Sequence, residues 1–262
     1  MSERSERISV ASERISVAGE RVVQPPVLQL EGLSAGYDAA VAVRDLDLHV
    51  GAGEVVALLG PNGAGKTTTL RAISGLIRPM AGVIRVDGDD IARQSPAARA
   101  QLGIAHVPEG RGVFFGLTVA EHFRLGYRGE RLDAEIAYTY FPALAALRDR
   151  RAGLLSGGEQ QMLTLGAALA RNPRLMLVDE LSLGLAPVIV ERLMPVVSNY
   201  AKQSGCAVLV VEQHIHIALA VADRGYVLSH GELVIHAPAG DLRADHQLIL
   251  SGYLGERIAS TT

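Results

Sequence analysis

The chain has no tryptophan, one cysteine and only two lysines among its 25 basic residues. A single cysteine excludes a disulfide framework within the chain, so stability must come from a packed core. Cys206 itself stands in an apolar stretch before a predicted strand and reads as a small core residue. Long hydrophobic runs are also missing, although mean hydropathy is +0.22. Those present are short, as in VVALLG at 55–60, LMLV at 175–178 and AVLVV at 207–211. These fall far short of the roughly 20 residues of a membrane-crossing helix and suit buried strands of a parallel sheet. Any membrane role would run through a partner. A strongly basic balance is absent too: the net charge is −3, and no nucleic-acid partner is expected. The scarcity of lysine makes the position of one of them, Lys66, informative.

The 262 residues suit one large domain with an inserted subdomain. Residues 1–26 read as a disordered tail, charged throughout and lacking the apolar core of a secretory signal. The tail repeats SERISVA at 5–11 and 12–18, and a short docking helix is the alternative reading. From Val27 the segments VLQLEGLSAGY and LDLHV alternate as half-exposed antiparallel strands do. GEVVALLG predicts a buried strand, followed by a Gly-rich turn and a helix from Lys66 to Ile77; GVIRVDG predicts another strand. Residues from about 110 to 155 read as mainly helical, with loops at Gly112, Gly116 and Gly126 to Gly129. Beyond them helix and strand alternate: helices at 157–171, 188–203 and 214–222, strands at 174–178, 207–211 and 226–228, then a small hairpin and a helix after Gly231. That alternation predicts a parallel sheet covered on both faces.

Residues 60–67, GPNGAGKT, match G-x-x-x-x-G-K-[ST] between a predicted strand and a predicted helix, the context this phosphate-binding loop requires. Glycines at 60, 63 and 65 let backbone N–H groups converge on phosphate oxygens, and Pro61, Asn62, Ala64 and Thr68 complete the loop and first turn. Lys66 would reach the β- and γ-phosphates of ATP, and Thr67 would hold Mg²⁺. RLMLVDE at 174–180 ends an apolar strand on two carboxylates: Asp179 for Mg²⁺ through water, Glu180 as general base toward the attacking water. LSGGEQQ at 155–161 supplies a second anion site, with Ser156 and Glu159 forming a capping box ahead of a helix whose first residues are Gly157 and Gly158.

These motifs together resemble the ATP-binding subunits of ABC transporters over residues 27–255. The resemblance implies an α/β fold of the P-loop NTPase type: a RecA-like parallel-sheet core, an N-terminal antiparallel β subdomain and a helical subdomain inserted at about 110–165, with 256–262 as a C-terminal tail. It implies two such domains facing each other, with Ser156, Gly157, Gly158 and Glu159 acting in trans on the partner's ATP. It also implies Tyr37 as the ring that stacks on adenine, with edge-strand packing as the plainer role.

VPEGRGVF at 107–114, SGGEQQML at 156–163, SLGLAP at 182–187, VVEQ at 210–213 and ADRGYVL at 222–228 narrow the likeness. They are similar to the smaller ATPase of branched-chain amino-acid importers. That implies a second, non-identical ATPase, two permease subunits, a substrate-binding protein and a place at the cytoplasmic face of the membrane. Importers of urea, amides or other small solutes, and homodimeric exporter ATPases, are the alternatives. Glu109 stands where most of the family has Gln, and brings negative charge toward Mg²⁺ and the attacking water. Gln213 stands where most have a switch His, and cannot titrate near pH 7. The two changes suggest that this is the slower of two unequal ATP sites. Leu181 replaces the usual Pro after the general base, and Ala167 a common Arg. Phe114 and Phe115 suit either an anchor for a permease helix or core packing.

Overall fold

A computed structural model describes residues 25–244 except Arg128 and Arg131. The expected tails, 1–24 of the first and all of 256–262, lie outside the described residues. The chain opens with the strands β1 (Leu28–Tyr37) and β2 (Ala40–Val50), then β3 (Val55–Leu59) and the helix α1 (Lys66–Ser74). Next come β4 (Pro79–Val86), β5 (Asp89–Asp90), α2 (Pro96–Gln101) and β6 (Ile104–Val107). The segment from there to the next strand holds α3 (Val119–His122), α4 (Ala134–Tyr140), α5 (Pro142–Ala146) and α6 (Gly157–Leu169). The chain then alternates β7 (Leu175–Asp179), α7 (Pro187–Ser204), β8 (Ala207–Val211), α8 (Ile215–Val221) and β9 (Arg224–Ser229), and ends on β10 (Glu232–Pro238) and α9 (Ala239–Ala244).

The strands form two sheets. A four-stranded antiparallel sheet has the order β2-β1-β4-β5, as the alternation in residues 27–50 predicts. A six-stranded sheet has the order β10-β9-β3-β8-β7-β6; five strands run parallel and β10 closes one edge in the antiparallel sense. Period-two side-chain alternation divides the parallel strands between two cores. Val55, Ala57 and Leu59 face a core with α6 and α7; Val56 and Leu58 face a second core with α1 and the antiparallel sheet. Both faces are therefore covered, which is why the central strands β3 and β8 are apolar throughout. Cys206 is buried in the first core, and burial pushes its thiol up to about 12.

The reading of residues 110–155 as mainly helical is not what the chain does. Its helices there are short and separated by turns: the loops expected at Gly126 and Gly129 are present, and Pro142 also starts a new helix after Phe141. α1 also stops early, at Ser74, where Gly75 takes a left-handed φ of 81° and caps it. The short α2 and β6 were not anticipated. Four residues interrupted by His106 make a weak strand pattern, yet pairing with β7 and burial complete it.

α2 supplies a brace for α1. Arg99 is 1% exposed and donates Nη1 to the carbonyls of Ala72 at 2.5 Å and Ile73 at 2.7 Å. Its Nη2 and Nε donate to the carbonyls of Ala92 at 3.0 Å and Gln94 at 3.1 Å. The guanidinium thus meets carbonyls at the helix end where the dipole favours a cation. Arg99→Ala would remove these bonds, leaving the Ala72 carbonyl only its Gly75 N–H partner, and lower stability by about 2–4 kcal/mol. The expected thermal unfolding midpoint falls by several degrees, and Arg99→Lys recovers only part of it. An unchanged midpoint in Arg99→Ala would remove the brace from the account of α1.

Candidate nucleotide site

Parallel register brings the functional residues to one edge. Asp179 lies opposite Val211, Val178 opposite Val107, and Val211 opposite Leu58. The carboxyl ends of β3, β6, β7 and β8 therefore emerge side by side, where open α/β sheets bind ligands. β3 runs into Gly60–Lys66, β6 into Glu109, β7 into Asp179 and Glu180, and β8 into Glu212 and Gln213.

Close approach of backbone to backbone shapes the loop after β3. A Cβ at Gly60 would sit 2.4 Å from the carbonyl oxygen of Leu228, and one at Gly65 would sit 2.7 Å from that of Ala42. Gly65 also takes a φ of 101° as the N-cap of α1, so only glycine serves there. Gly63 faces open space, and Pro61 and Asn62 rim the cradle while Ala64 and Thr68 are buried beneath it. Lys66, 4% exposed, folds back and donates to the carbonyls of Gly60 at 2.9 Å and Pro61 at 3.1 Å.

Lys66 is surrounded by carboxylates. Its Nζ is 3.8 Å from Glu180 Oε1, and the charges of Asp179 and Glu212 also act on it. Burial still dominates and lowers its pKa. The Thr67 hydroxyl donates to Asp179 Oδ1 at 3.1 Å. Asp179 is 2% exposed, and burial pushes its carboxyl up to about 6; the charges of Glu180 and Glu109 add to this, against the Thr67 hydrogen bond. Glu180 holds a left-handed φ of 45°, uncommon for a side chain other than glycine, and its N–H donates to the carbonyl of Val211 at 2.9 Å.

The structure thus gathers Lys66, Thr67, Asp179, Glu180 and Glu109. Gln213 is exposed on the segment after β8, and the neighbouring His214 is the N-cap residue of α8. Tyr37 is exposed at the end of β1, and its hydroxyl accepts from Arg71 at 3.0 Å, which ties the ring to α1. Ser156, Gly157, Gly158 and Glu159 stand apart at the start of α6. The Ser156 N–H donates to Glu159 Oε2 at 2.7 Å, and the Glu159 N–H to Ser156 Oγ at 3.4 Å, completing the predicted capping box. Two residues escaped the sequence reading. Arg111 donates to Gln160 at 2.9 Å and packs against Gly157. Glu212 is buried against Ser182, and its one signal was an apolar strand ending on a carboxylate, as β7 does.

The residues fit a magnesium nucleotide. Negative charge accumulates around Asp179 beside a hydroxyl and beneath an open cradle. Among the described residues no group of three or more His, Cys, Asp or Glu is arranged to hold a metal. Mg²⁺ needs only one or two protein groups, the rest of its shell coming from waters and substrate phosphates, and Thr67 and Asp179 stand together at the cradle. Nearby, a cavity of about 350 Å³ is lined by Arg99, His106, Pro108, Val113, Thr164 and Ala167, among others. Phe114 and Phe115 stand beside Val113, 61% and 62% exposed, so neither is a core residue. Leu181, in contrast, is buried in the core beneath the turn.

The ABC transporter family pattern matches residues 43–182. The chain is 37% identical over 234 residues to the high-affinity branched-chain amino acid transport ATP-binding protein BraG of Pseudomonas aeruginosa, covering 87% of this chain and 100% of that protein. It is 35% identical over 237 residues to the lipopolysaccharide export system ATP-binding protein LptB of Escherichia coli K12, covering 87% and 97%. A solved ATP-binding subunit of an ABC transporter superposes with a TM-score of 0.70 at 28% identity, covering 89% and 95%.

Asp179 has a raised pKa in the folded chain, so its ionised form opposes folding. This penalty is absent below about pH 4, where the carboxyl is protonated in both states, and complete above about pH 6. Asp179→Asn, without nucleotide or Mg²⁺, is expected to be more stable than the parent at pH 7 by up to about 3 kcal/mol, from 1.36 kcal/mol per pKa unit. Unfolding midpoints across pH 4–7 would show the gap closing toward acid; a gap that does not change with pH would contradict the assignment.

Proposed function

The chain belongs to the ABC transporter family and is an ATP-hydrolysing transporter subunit; on that premise we propose that it drives an importer of branched-chain amino acids. The reading draws on the similarity to BraG along that protein's full length. Similarity to LptB favours a second reading, an exporter ATPase. Gln213 speaks against it, because ATPases of that type keep a histidine there. Importers of urea, amides or other small solutes are further possibilities, since no residue of this subunit touches the cargo.

One observation carries the chemistry: Lys66, Thr67, Asp179 and Glu180 converge at the carboxyl edge of the sheet beneath an open cradle. On ATP binding, Lys66 would exchange the carbonyls of Gly60 and Pro61 for the β- and γ-phosphates. Thr67 would hold Mg²⁺ directly and Asp179 through water, with Glu109 adding charge nearby; the ion, when bound, supplies neutralisation of phosphate charge. Glu180 would orient the attacking water and take its proton. Tyr37 would stack on adenine. The capped start of α6, Ser156 to Glu159, would meet the γ-phosphate of ATP held by a facing subunit, its N–H groups and dipole favouring the anion.

The facing subunit would be a second, non-identical ATPase. Two permeases would hold the pair at the cytoplasmic face of the membrane, and a binding protein would deliver cargo. Among the described residues no helix is long and apolar enough to cross a membrane. The cavity beside the exposed Phe114 and Phe115 is where a permease helix would dock. The domain would span 27–255, with the helical insertion at about 110–165 lying between the paired strands β6 and β7.

Affinity capture of the tagged chain from its native membrane tests the assembly. A second ABC ATPase, two permeases and a binding protein are expected; self-dimers with one permease type would favour the exporter reading. In that assembly Glu180→Gln should keep ATP binding and lose about 10²–10⁴-fold in hydrolysis, whereas Lys66→Ala should lose binding. Wild-type turnover in Glu180→Gln would remove the general base. Single-turnover rates with either site disabled should show the site built on Lys66 to be slower, and equal rates would end that idea.

A further inference from the structure

β7 and β8 leave the sheet side by side, and the ladder between them runs one residue beyond the strand, from the Glu180 N–H to the carbonyl of Val211. Glu180 then turns the chain through its left-handed conformation, over the buried Leu181 to Ser182. There backbone pairing ends and a side chain takes over. Glu212, 0% exposed, accepts the Ser182 N–H on Oε1 at 3.0 Å and the Ser182 hydroxyl on Oε2 at 2.6 Å. Both oxygens of one carboxylate are spent on one residue of the neighbouring loop. The next residue along is Gln213.

Core packing gives no reason for a carboxylate here. Taking one out of water is costly, and an apolar residue of similar volume would often serve stability as well or better. Burial pushes the pKa of Glu212 upward, and the charge of Glu180 adds to that. Its geometry is nevertheless that of a bidentate clamp, with a hydroxyl contact in the short range of charge-assisted bonds. Glu212 is also close enough for its charge to act on Lys66.

We propose that Glu212 is a positioning residue for ATP hydrolysis: its carboxylate locks the turn carrying Glu180 to the segment carrying Gln213, so that both keep one spacing to the attacking water. This rests on Glu180 being the general base. The clamp touches no substrate; it acts through Ser182.

The test uses the full-length chain within its captured assembly, with Glu212→Ala, Glu212→Gln, Ser182→Ala and the Ala/Ala pair. Glutamine can still accept the Ser182 N–H and can donate to the Ser182 hydroxyl, so it keeps the clamp without the charge. Expected are at least tenfold losses of kcat in Glu212→Ala and Ser182→Ala, KM for ATP within about twofold, and no further loss in the pair. Glu212→Gln should retain most of kcat. Amide exchange at Ser182 should speed up in Glu212→Ala and stay slow in Glu212→Gln, a readout independent of turnover. Wild-type kcat in Ser182→Ala, or losses that multiply in the pair, would overturn the clamp. Should Glu212→Ala fail to fold, Ser182→Ala and Glu212→Gln decide alone: loss in the first with retention in the second supports the clamp, and loss in both transfers the role to charge and overturns it. Glu180→Gln separates the premise: if it hydrolyses ATP at the wild-type rate, the general-base assignment fails whatever Glu212 does.

Discussion

A single buried ammonium stands against a group of carboxylates at the carboxyl edge of the parallel sheet. Lys66 lies 3.8 Å from Glu180 and within reach of the charges of Asp179 and Glu212. Neither side is fully compensated. Burial depresses the lysine pKa, and burial with like charges raises that of Asp179. A group of this kind does little for the stability of the nucleotide-free chain. It is suited to a ligand that brings both signs of charge together, phosphates for the lysine and a divalent cation for the carboxylates. The local arrangement therefore favours binding over folding, and the fold around it has to carry the difference.

It does so by fixing both ends of α1 and the spacing of the strands. At the N-terminus of α1, Gly65 lets the loop approach the backbone of Ala42, so the antiparallel sheet sets where the phosphate loop lies. At the C-terminus, Arg99 holds the carbonyls of Ala72 and Ile73 from a different element. Between β7 and β8 the register places Asp179 opposite Val211, and the Glu180–Val211 and Ser182–Glu212 bonds extend that pairing into the loops. The functional groups thus ride on rigid strand ends, although most of them belong to loops.

Legibility followed pattern strength. The apolar runs of β3, β7 and β8 stand close to where the sequence predicts them, because strands buried on both faces leave a continuous signal. The capping box at Ser156 and Glu159 was readable because it is local, satisfied within four residues. Residues 110–155 were misread, since each of their helices spans two turns or fewer and carries almost no periodicity. α2 and β6 escaped for the same reason; tertiary contact holds them.

The sequence by itself determined the phosphate loop, the Asp179–Glu180 pair, the signature helix and hence the family. Each is a short segment whose chemistry follows from residue order. Tertiary structure decided what depends on neighbours distant in the chain. It left Phe114 and Phe115 in solvent, set Tyr37 against Arg71, drew Glu109 toward Asp179 and buried Glu212 on Ser182. The physical reason is register: parallel strands far apart in sequence become adjacent only when the sheet assembles, and no local pattern records which loop ends will then meet.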